Sequence, residues 1–183
     1  MKTIKHLFTL LLLLCATVAS AHDFEVDGIY YNVLSEEDKT VEVTYRGTSY
    51  GQYANEYYDN VVIPETVAYN GTTYGVTSIG DYAFYGCPDL TSIVIPNSVT
   101  SIGDGAFRDC SGLTSVVIPD SVVLVGENAF AYCRDILTVT VGSGVSWIGE
   151  GAFEGVPEVA ITAYDVSVAE AAVNCGAQRI TLD

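Results

Sequence analysis

The side chains that perform acid–base and nucleophilic chemistry in most hydrolases are scarce in this chain. Its 183 residues include two histidines, His6 and His22. His6 lies in an apolar amino-terminal segment typical of a secretory leader, so His22 is expected to begin the mature protein. One terminal histidine cannot complete a Ser-His-Asp triad, a Cys-His pair or a histidine-bound zinc site. We therefore expect no enzyme activity and no cofactor.

Carboxylates recur at one position of an internal repeat: Asp81, Asp104, Glu127 and Glu150. Each follows an Ile-Gly or Val-Gly step, where a helical turn is expected to begin, and an acid there interacts well with free amides. A calcium site needs several converging oxygens, and one carboxylate per repeat leaves calcium binding undecided. A glycosidase needs two carboxylates facing each other across a cleft. A carbohydrate-active enzyme is therefore a remote alternative.

Three cysteines, Cys87, Cys110 and Cys133, also share one repeat position. Cysteines of exported proteins often form disulfides, but an odd column that faces a core cannot pair off. We expect buried thiols that pack as small hydrophobic groups. No C-x-x-C pair is present, so no metal site is predicted.

Tyrosine is concentrated near the amino terminus, with eleven of the thirteen lying between Tyr30 and Tyr85. The segment 47–60 combines tyrosine with glycine, serine and asparagine and lacks a clear helical or strand period. That composition is typical of binding loops, because the ring covers a large area at small entropic cost. The alternative is a loop folded over the end of the molecule with half-buried rings. The candidate binding residues of this loop are Tyr50, Tyr53, Tyr57 and Tyr58.

The elements that must position these residues follow from a 23-residue period. Three sets of apolar residues keep this spacing: Ile79, Ile102, Val125 and Ile148; Phe84, Phe107, Phe130 and Phe153; and Leu90, Leu113, Ile136 and Val159. Such a period predicts coils that stack on one another, because one coil cannot bury its own apolar face.

Each coil is predicted to contain one strand and one helical turn. In the segment 90–96, Ile93 and Ile95 alternate with polar or smaller residues, which is typical of a strand, and Pro96 ends it. The apolar spacing from Ile102 to Cys110 favours a short helical turn. The exposed face of the predicted sheet is a second candidate binding surface, formed by Ser92, Val94, Ser115, Val117, Thr138 and Thr140.

The repeat pattern L-x-x-I-x-I-P-x-x-V-x-x-I-G-x-x-A-F-x-x-C-x-x resembles the leucine-rich repeats of the BspA-like family. The match is close over residues 79–156 and looser over 61–162. The resemblance implies a curved solenoid with a parallel sheet on one side, binding or adhesion, sometimes to matrix proteins, and no catalysis. Members of the family often have more repeats, and surface-attached ones carry a lipobox or a sorting tail, which this sequence lacks. Stable surface attachment is therefore in doubt.

Both ends are predicted to be caps. Residues 22–60 are expected to form an antiparallel meander with an Asp27-Gly28 turn, followed by the tyrosine-rich loop, and Asn70-Gly71 indicates a second hairpin. Residues 163–183 are expected to form a helix that starts at Ser167 and a final strand, 179–182. The predicted fold is an α+β repeat solenoid, with a leader over 1–21 and repeats over 61–162.

Charge limits the choice of partners. Without residues 1–21 the chain keeps five basic and 23 acidic residues, a formal charge of −18. Such a surface repels nucleic acid and anionic lipid, so neither is expected as a partner. The apolar part of the leader is too short for a membrane-spanning helix, so no membrane insertion is expected.

The sequence thus predicts an exported, monomeric, non-catalytic binding module for adhesion or recognition of a protein or glycan. Its location would be periplasmic, extracellular or at the cell surface. A structural solenoid that self-associates through exposed strand edges is the alternative, and the fold alone cannot choose between the two.

Overall fold

The computed structural model describes residues 22–52, 55–156, 160–163 and 179–182. Within these ranges the chain forms strands and no helix. The strands are β1 (Phe24–Val26), β2 (Ile29–Ser35), β3 (Thr40–Thr44), β4 (Asp59–Val62), β5 (Thr66–Tyr69), β6 (Thr72–Ile79), β7 (Leu90–Val94), β8 (Ser101–Ile102), β9 (Ser115–Ile118), β10 (Leu124–Val125), β11 (Thr138–Val141), β12 (Trp147–Ile148), β13 (Ala160–Ala163) and β14 (Arg179–Leu182).

One strand of each coil belongs to a parallel arrangement that we call the front sheet. It consists of the pair β4–β7 and the four strands β9, β11, β13 and β14, with β7 and β9 in contact. The register keeps the period of the sequence, since Val117 pairs with Thr140, 23 residues further on. The repeat solenoid with a parallel sheet, predicted from the sequence, is therefore confirmed.

A second parallel sheet, the side sheet, forms at the next corner of each coil from β6, β8, β10 and β12. The register pairs Ile79 with Ile102 and Val125 with Ile148. The sequence prediction placed Ile102 in a helical stripe and is corrected here. Ile102 lies in a two-residue strand, and its side chain is buried all the same.

At the amino-terminal end, β1, β2 and β3 form an antiparallel meander, as the alternation of residues predicts. Asp27 and Gly28 have φ angles of 51° and 80°, which suit the tight turn between β1 and β2. β3 then pairs in parallel with β6, so the meander continues the side sheet. The predicted hairpin at Asn70 and Gly71 is also present, joining β5 to β6.

The third side of each coil is a series of turns, which we call the turn wall: residues 81–86, 104–109, 127–132 and 150–155. The predicted helical turns are not found there. Gly105 and Asp109 have φ angles of 58° and 62°, which interrupt a right-handed helix. Alternate amides instead donate to the next coil, as Phe107 does to Ala129 O at 2.7 Å.

The core runs the length of the coils as stacked columns. Phe84, Phe107, Phe130 and Phe153 are fully buried, and their ring centroids are 4.9, 5.1 and 5.7 Å apart. The prediction of buried free thiols is confirmed for Cys87, Cys110 and Cys133. Two of these thiols also donate to the preceding coil, Cys110 to Phe84 O and Cys133 to Phe107 O, both at 2.9 Å.

Three parts of the sequence prediction lie outside the described residues. These are the leader, the carboxyl-terminal helix expected from Ser167, and Tyr53 of the tyrosine-rich loop.

Candidate binding surface

The outer face of the front sheet carries all six residues that the alternation places there. Ile93, Val116 and Val139 point into the core, so their neighbours point outward. Val94 is 50 % exposed and Val117 is 61 % exposed. The other four are exposed or half-buried hydroxyl residues: Ser92, Ser115, Thr138 and Thr140.

Val62 extends this face by one strand, and the sequence prediction missed it. It pairs with Val94 across β4 and β7, and its side chain is exposed. The two residues are 32 positions apart because the β5–β6 hairpin lengthens the first coil. An Ile-Pro pair follows each of the two valines, as Ile63-Pro64 and as Ile95-Pro96. This pair is the sequence signal that the two valines occupy the same position of the repeat. Val62, Val94 and Val117 form a row that we call the valine row.

Tyr57 is a core residue, which corrects its prediction as a binding residue. It is 3 % exposed, and its ring centroid lies 4.5 Å from that of Phe84, at the end of the phenylalanine column. Its hydroxyl donates to Thr44 O at 2.7 Å and accepts the Tyr30 N–H at 3.1 Å. Burial holds the pKa of Tyr57 well above its usual range. A ring used in this way offers no surface to a ligand.

Tyr50 is exposed on one side and packed on the other. Its ring stacks on Tyr82 with a centroid distance of 4.0 Å and meets Tyr85 edge to face at 5.3 Å. The loop around it is held to the first coil by Asn55, which donates to Asp89 Oδ2 through Nδ2 and to Gly86 O through its backbone. These contacts hold Tyr50 and Asn55 against the first coil. Tyr50 therefore remains a candidate binding residue.

Tyr58 borders a groove of about 690 Å³ and is 63 % exposed. The groove lies between β4, the β1–β2 hairpin and β5. Its volume falls within the range of about 300 to 1,000 Å³ that is usual for ligand sites. Since β4 belongs to the front sheet, the groove adjoins one end of the valine row. Neither the groove nor its position follows from the sequence pattern.

Glu56 lines this groove with a half-buried carboxylate. Its Oε2 accepts the backbone N–H of Arg46 at 2.6 Å. Its Oε1 is buried and has no hydrogen-bond partner among the described residues. Burial is the main cause that raises the pKa of Glu56, while the hydrogen bond and the charge of Arg46 lower it.

The acidic column has a structural use that differs from the predicted one. Asp81 Oδ1 accepts the N–H of Asp104 at 2.8 Å, and Asp104 Oδ1 accepts the N–H of Glu127 at 2.7 Å. These carboxylates were predicted to accept hydrogen bonds from amides of their own helical turn. They accept them instead from amides of the next coil. In the described part of the chain, no three His, Cys, Asp or Glu side chains are grouped so that they could hold a metal ion.

A second apolar patch lies on the side sheet, away from the valine row. Leu124 and Trp147 are paired across β10 and β12, and both are close to half exposed. Val123 next to them is also exposed. The ring of Trp147 therefore lies at the surface.

The family model of the BspA type leucine rich repeat region matches residues 75–174 in six copies, which is more than half of the chain. The chain belongs to the BspA-type leucine-rich-repeat family. No curated protein matches it at a significant level. The family assignment therefore rests on the repeat itself and on the fold described above.

Solved structures of bacterial repeat proteins share this fold. A leucine-rich repeat protein from Bacteroides capillosus is 26 % identical, with a TM-score of 0.60, over 75 % of this chain and 96 % of that one. One from Bacteroides ovatus is 27 % identical, with a TM-score of 0.55, over 87 % of this chain. This chain spans about half of the Bacteroides ovatus protein, 53 % of its length.

A leucine rich cell surface protein from Faecalibacterium prausnitzii is 24 % identical, with a TM-score of 0.55, over 76 % of this chain and 44 % of its own length. Likeness at that identity shows the fold alone. As for the membrane, the described ranges contain no helix with the length and hydropathy needed to cross a bilayer.

Proposed function

We propose that this BspA-type repeat protein is an exported, non-catalytic module that binds a protein partner through the outer face of its front sheet. The valine row is the observation that carries the proposal. Apolar side chains elsewhere in the coils are mostly buried in columns, while Val62, Val94 and Val117 remain exposed side by side on a sheet. Exposed apolar residues that adjoin one another mark interaction sites more often than scattered ones.

The chemistry of this face favours a protein over a glycan. Val94 and Val117 are flanked by small hydroxyl residues, and no aromatic ring lies among the six residues of the face. Such a strip can pack against apolar side chains and bond to main-chain groups of a partner. Tyr58, directly before the first strand, would add a larger contact area at one end. Adhesion to a host or cell-surface protein is the role that this surface and the family support.

The location is part of the same proposal. The leader expected over residues 1–21 supports export, and one solved protein of similar fold is described as a cell surface protein. A protein exposed to the outside of the cell would meet the partners that an adhesion module binds.

The test is a binding screen with residues 22–183 against immobilised matrix proteins, mucins and glycans at physiological salt. A double variant, Val94→Ser with Val117→Ser, should lose at least tenfold in affinity for the bound protein. Val123→Ser is the matched control, because it removes an exposed valine from the side sheet. Tyr58→Ala should weaken binding less than the double variant does.

Two results would contradict the proposal. Equal binding by the double variant would remove the front sheet as the site. A failure to bind any protein, together with a mass that grows with concentration, would favour the self-associating structural solenoid.

A further inference from the structure

The first strand of the front sheet has an open edge. The meander covers the side sheet, because β3 pairs with β6. In the front sheet, β4 pairs with β7 alone among the strands of the described ranges. The two sheets therefore differ at this end of the solenoid, and β4 keeps one row of backbone groups for another strand.

The hydrogen bonds of β4 show which backbone groups face outward. Ile63 N–H donates to Val94 O at 3.1 Å, so this residue faces β7. Neighbouring residues of a strand direct their backbone groups to opposite sides, and Val62 precedes Ile63. The shift of register in this pair lies between Asp59 and Asn60 and does not affect Val62. The N–H and C=O of Val62 thus point away from β7.

The groove beside Tyr58 runs along this edge. Asn60, Val61 and Val62 line one wall, and the β1–β2 hairpin and β5 line the others. Many folds bind an extended peptide by adding it to such an edge, with main-chain bonds giving affinity and neighbouring pockets giving specificity. Here the edge and the groove occur together.

Charge indicates the kind of peptide. Asp27 and Glu56 line the groove, and the lining contains no lysine or arginine. Arg46, which bonds to Glu56 through its backbone, is the basic residue beside it. The whole chain has a net charge of −16, so a second copy of the same chain would be repelled.

We propose that the open edge of β4 pairs with an extended, positively charged segment of a protein partner, which enters the groove as an added strand of the front sheet. This inference rests on the proposed binding function and specifies its partner. A lysine or arginine of the segment would pair with the carboxylates of Asp27 and Glu56, which line the groove. The valine row would then contact the part of the partner that continues beyond the groove.

The experiment measures fluorescence anisotropy of a labelled synthetic peptide in which lysine alternates with threonine and valine. The peptide should bind residues 22–183 saturably and lose affinity as salt increases. Val62→Pro, which removes the outward N–H, should weaken binding at least tenfold, and edge strands tolerate proline. Val62→Ala is the matched reference, because it shortens the same side chain but keeps that N–H, so Val62→Pro should bind several-fold more weakly than Val62→Ala. Glu56→Gln should lower both the affinity and its salt dependence.

A second measurement does not depend on how the variants fold. The same peptide, methylated on alternate backbone nitrogens, cannot pair as a strand and should not bind the unmodified protein. Equal binding of the methylated peptide, or of a peptide with glutamate in place of lysine, would overturn the inference.

The outcome also separates this inference from the proposed function. Loss of protein binding in the valine-row variant, with no binding of the peptide, would overturn the strand-addition site and leave the binding function standing. If the unmodified protein forms a dimer and Val62→Pro dissociates it, the open edge binds a second copy of the chain. That result would also overturn the inference.

Discussion

Tyr57 connects the tyrosine-rich loop to the coils and to the meander. Its ring packs on Phe84, and its hydroxyl bridges the backbones of Thr44 and Tyr30. We predict that Tyr57→Phe lowers the free energy of unfolding by about 1 to 3 kcal/mol, because the buried Thr44 carbonyl and the part-buried Tyr30 amide both lose a partner. Urea unfolding would measure the change.

The control for this prediction is Tyr58→Phe, next to it in the sequence. Tyr58 is exposed, so loss of its hydroxyl should change the free energy of unfolding by less than about 0.5 kcal/mol. If both variants unfold like the unmodified protein, the bridge made by Tyr57 contributes nothing measurable.

The sequence could not separate these two tyrosines. Both lie in a segment without a clear period, so nothing in their spacing tells a core ring from an exposed one. Tyr57 precedes Phe84 by 27 residues, not 23, and the period therefore hides its place at the end of the phenylalanine column. The six candidate residues on the outer face of the front sheet could be placed, by contrast, because inward and outward residues alternate strictly along the strands.

At the level of the elements, neighbouring coils approach one another closely at the glycines that follow the strands β8, β10 and β12 of the side sheet. A Cβ on Gly126 would lie 2.4 Å from the backbone carbon of Gly103 in the preceding coil. We predict that Gly126→Ala lowers the free energy of unfolding by about 1 to 3 kcal/mol or more, because backbone must move to make room. Thermal or urea unfolding would measure it.

Gly75 provides the comparison within β6. A Cβ there would meet no atom closer than 3.9 Å, which is an ordinary contact. Gly75→Ala should therefore leave stability unchanged or raise it by up to about 1 kcal/mol. An equal loss in both variants would show that close approach of the coils is not the cause.

The helical turns were the main error at this scale, and its origin is physical. The spacing from Ile102 to Cys110 turns apolar residues inward both in a helix and in the observed strand and turns. The helix differs from the observed turns in the φ angle at two positions per coil. At the first of these positions, Tyr82 and Asn128 adopt positive φ angles, as Gly105 does. Residues of such different type give no common sequence signal.

At the scale of the whole molecule, acidic charge should make stability depend on pH. Glu42 is half-buried and accepts a hydrogen bond from Asn32 Nδ2 at 3.1 Å. Burial, helped by the charge of Asp81, raises the pKa of Glu42 above 4.5, and burial also raises the pKa of Glu56. Such groups bind their proton more tightly in the folded chain than in the unfolded one. Their contribution to stability is full below pH 4.5 and is lost as pH rises through the folded pKa.

We therefore predict that the free energy of unfolding is higher at about pH 5 than at about pH 8. Mutual repulsion among the acidic residues acts in the same direction, since the net charge is −16 at pH 7. In Glu42→Gln the difference between the two pH values should be smaller. A stability that increases with pH, or an unchanged difference in the variant, would contradict this account of Glu42.

The winding of the whole chain was predictable, while the end that carries the groove was not. A fixed period determines which residues stack, and it says nothing about which sheet the meander joins. That choice depends on β3 pairing with β6 and leaving β4 open, a contact between segments that do not repeat.

The turn wall also limits how such a chain can change its length in evolution. Amides at every second position of the first three turns donate to the next coil, as at Gly105, Phe107 and Asp109. Duplication of a complete 23-residue unit adds one coil and leaves all these bonds intact. Insertion of a single residue in a turn would displace the later donors of that turn from their acceptors in the next coil. Extra residues are accommodated where the β5–β6 hairpin lies, at a corner, so the molecule can lengthen by whole coils or by hairpins between them.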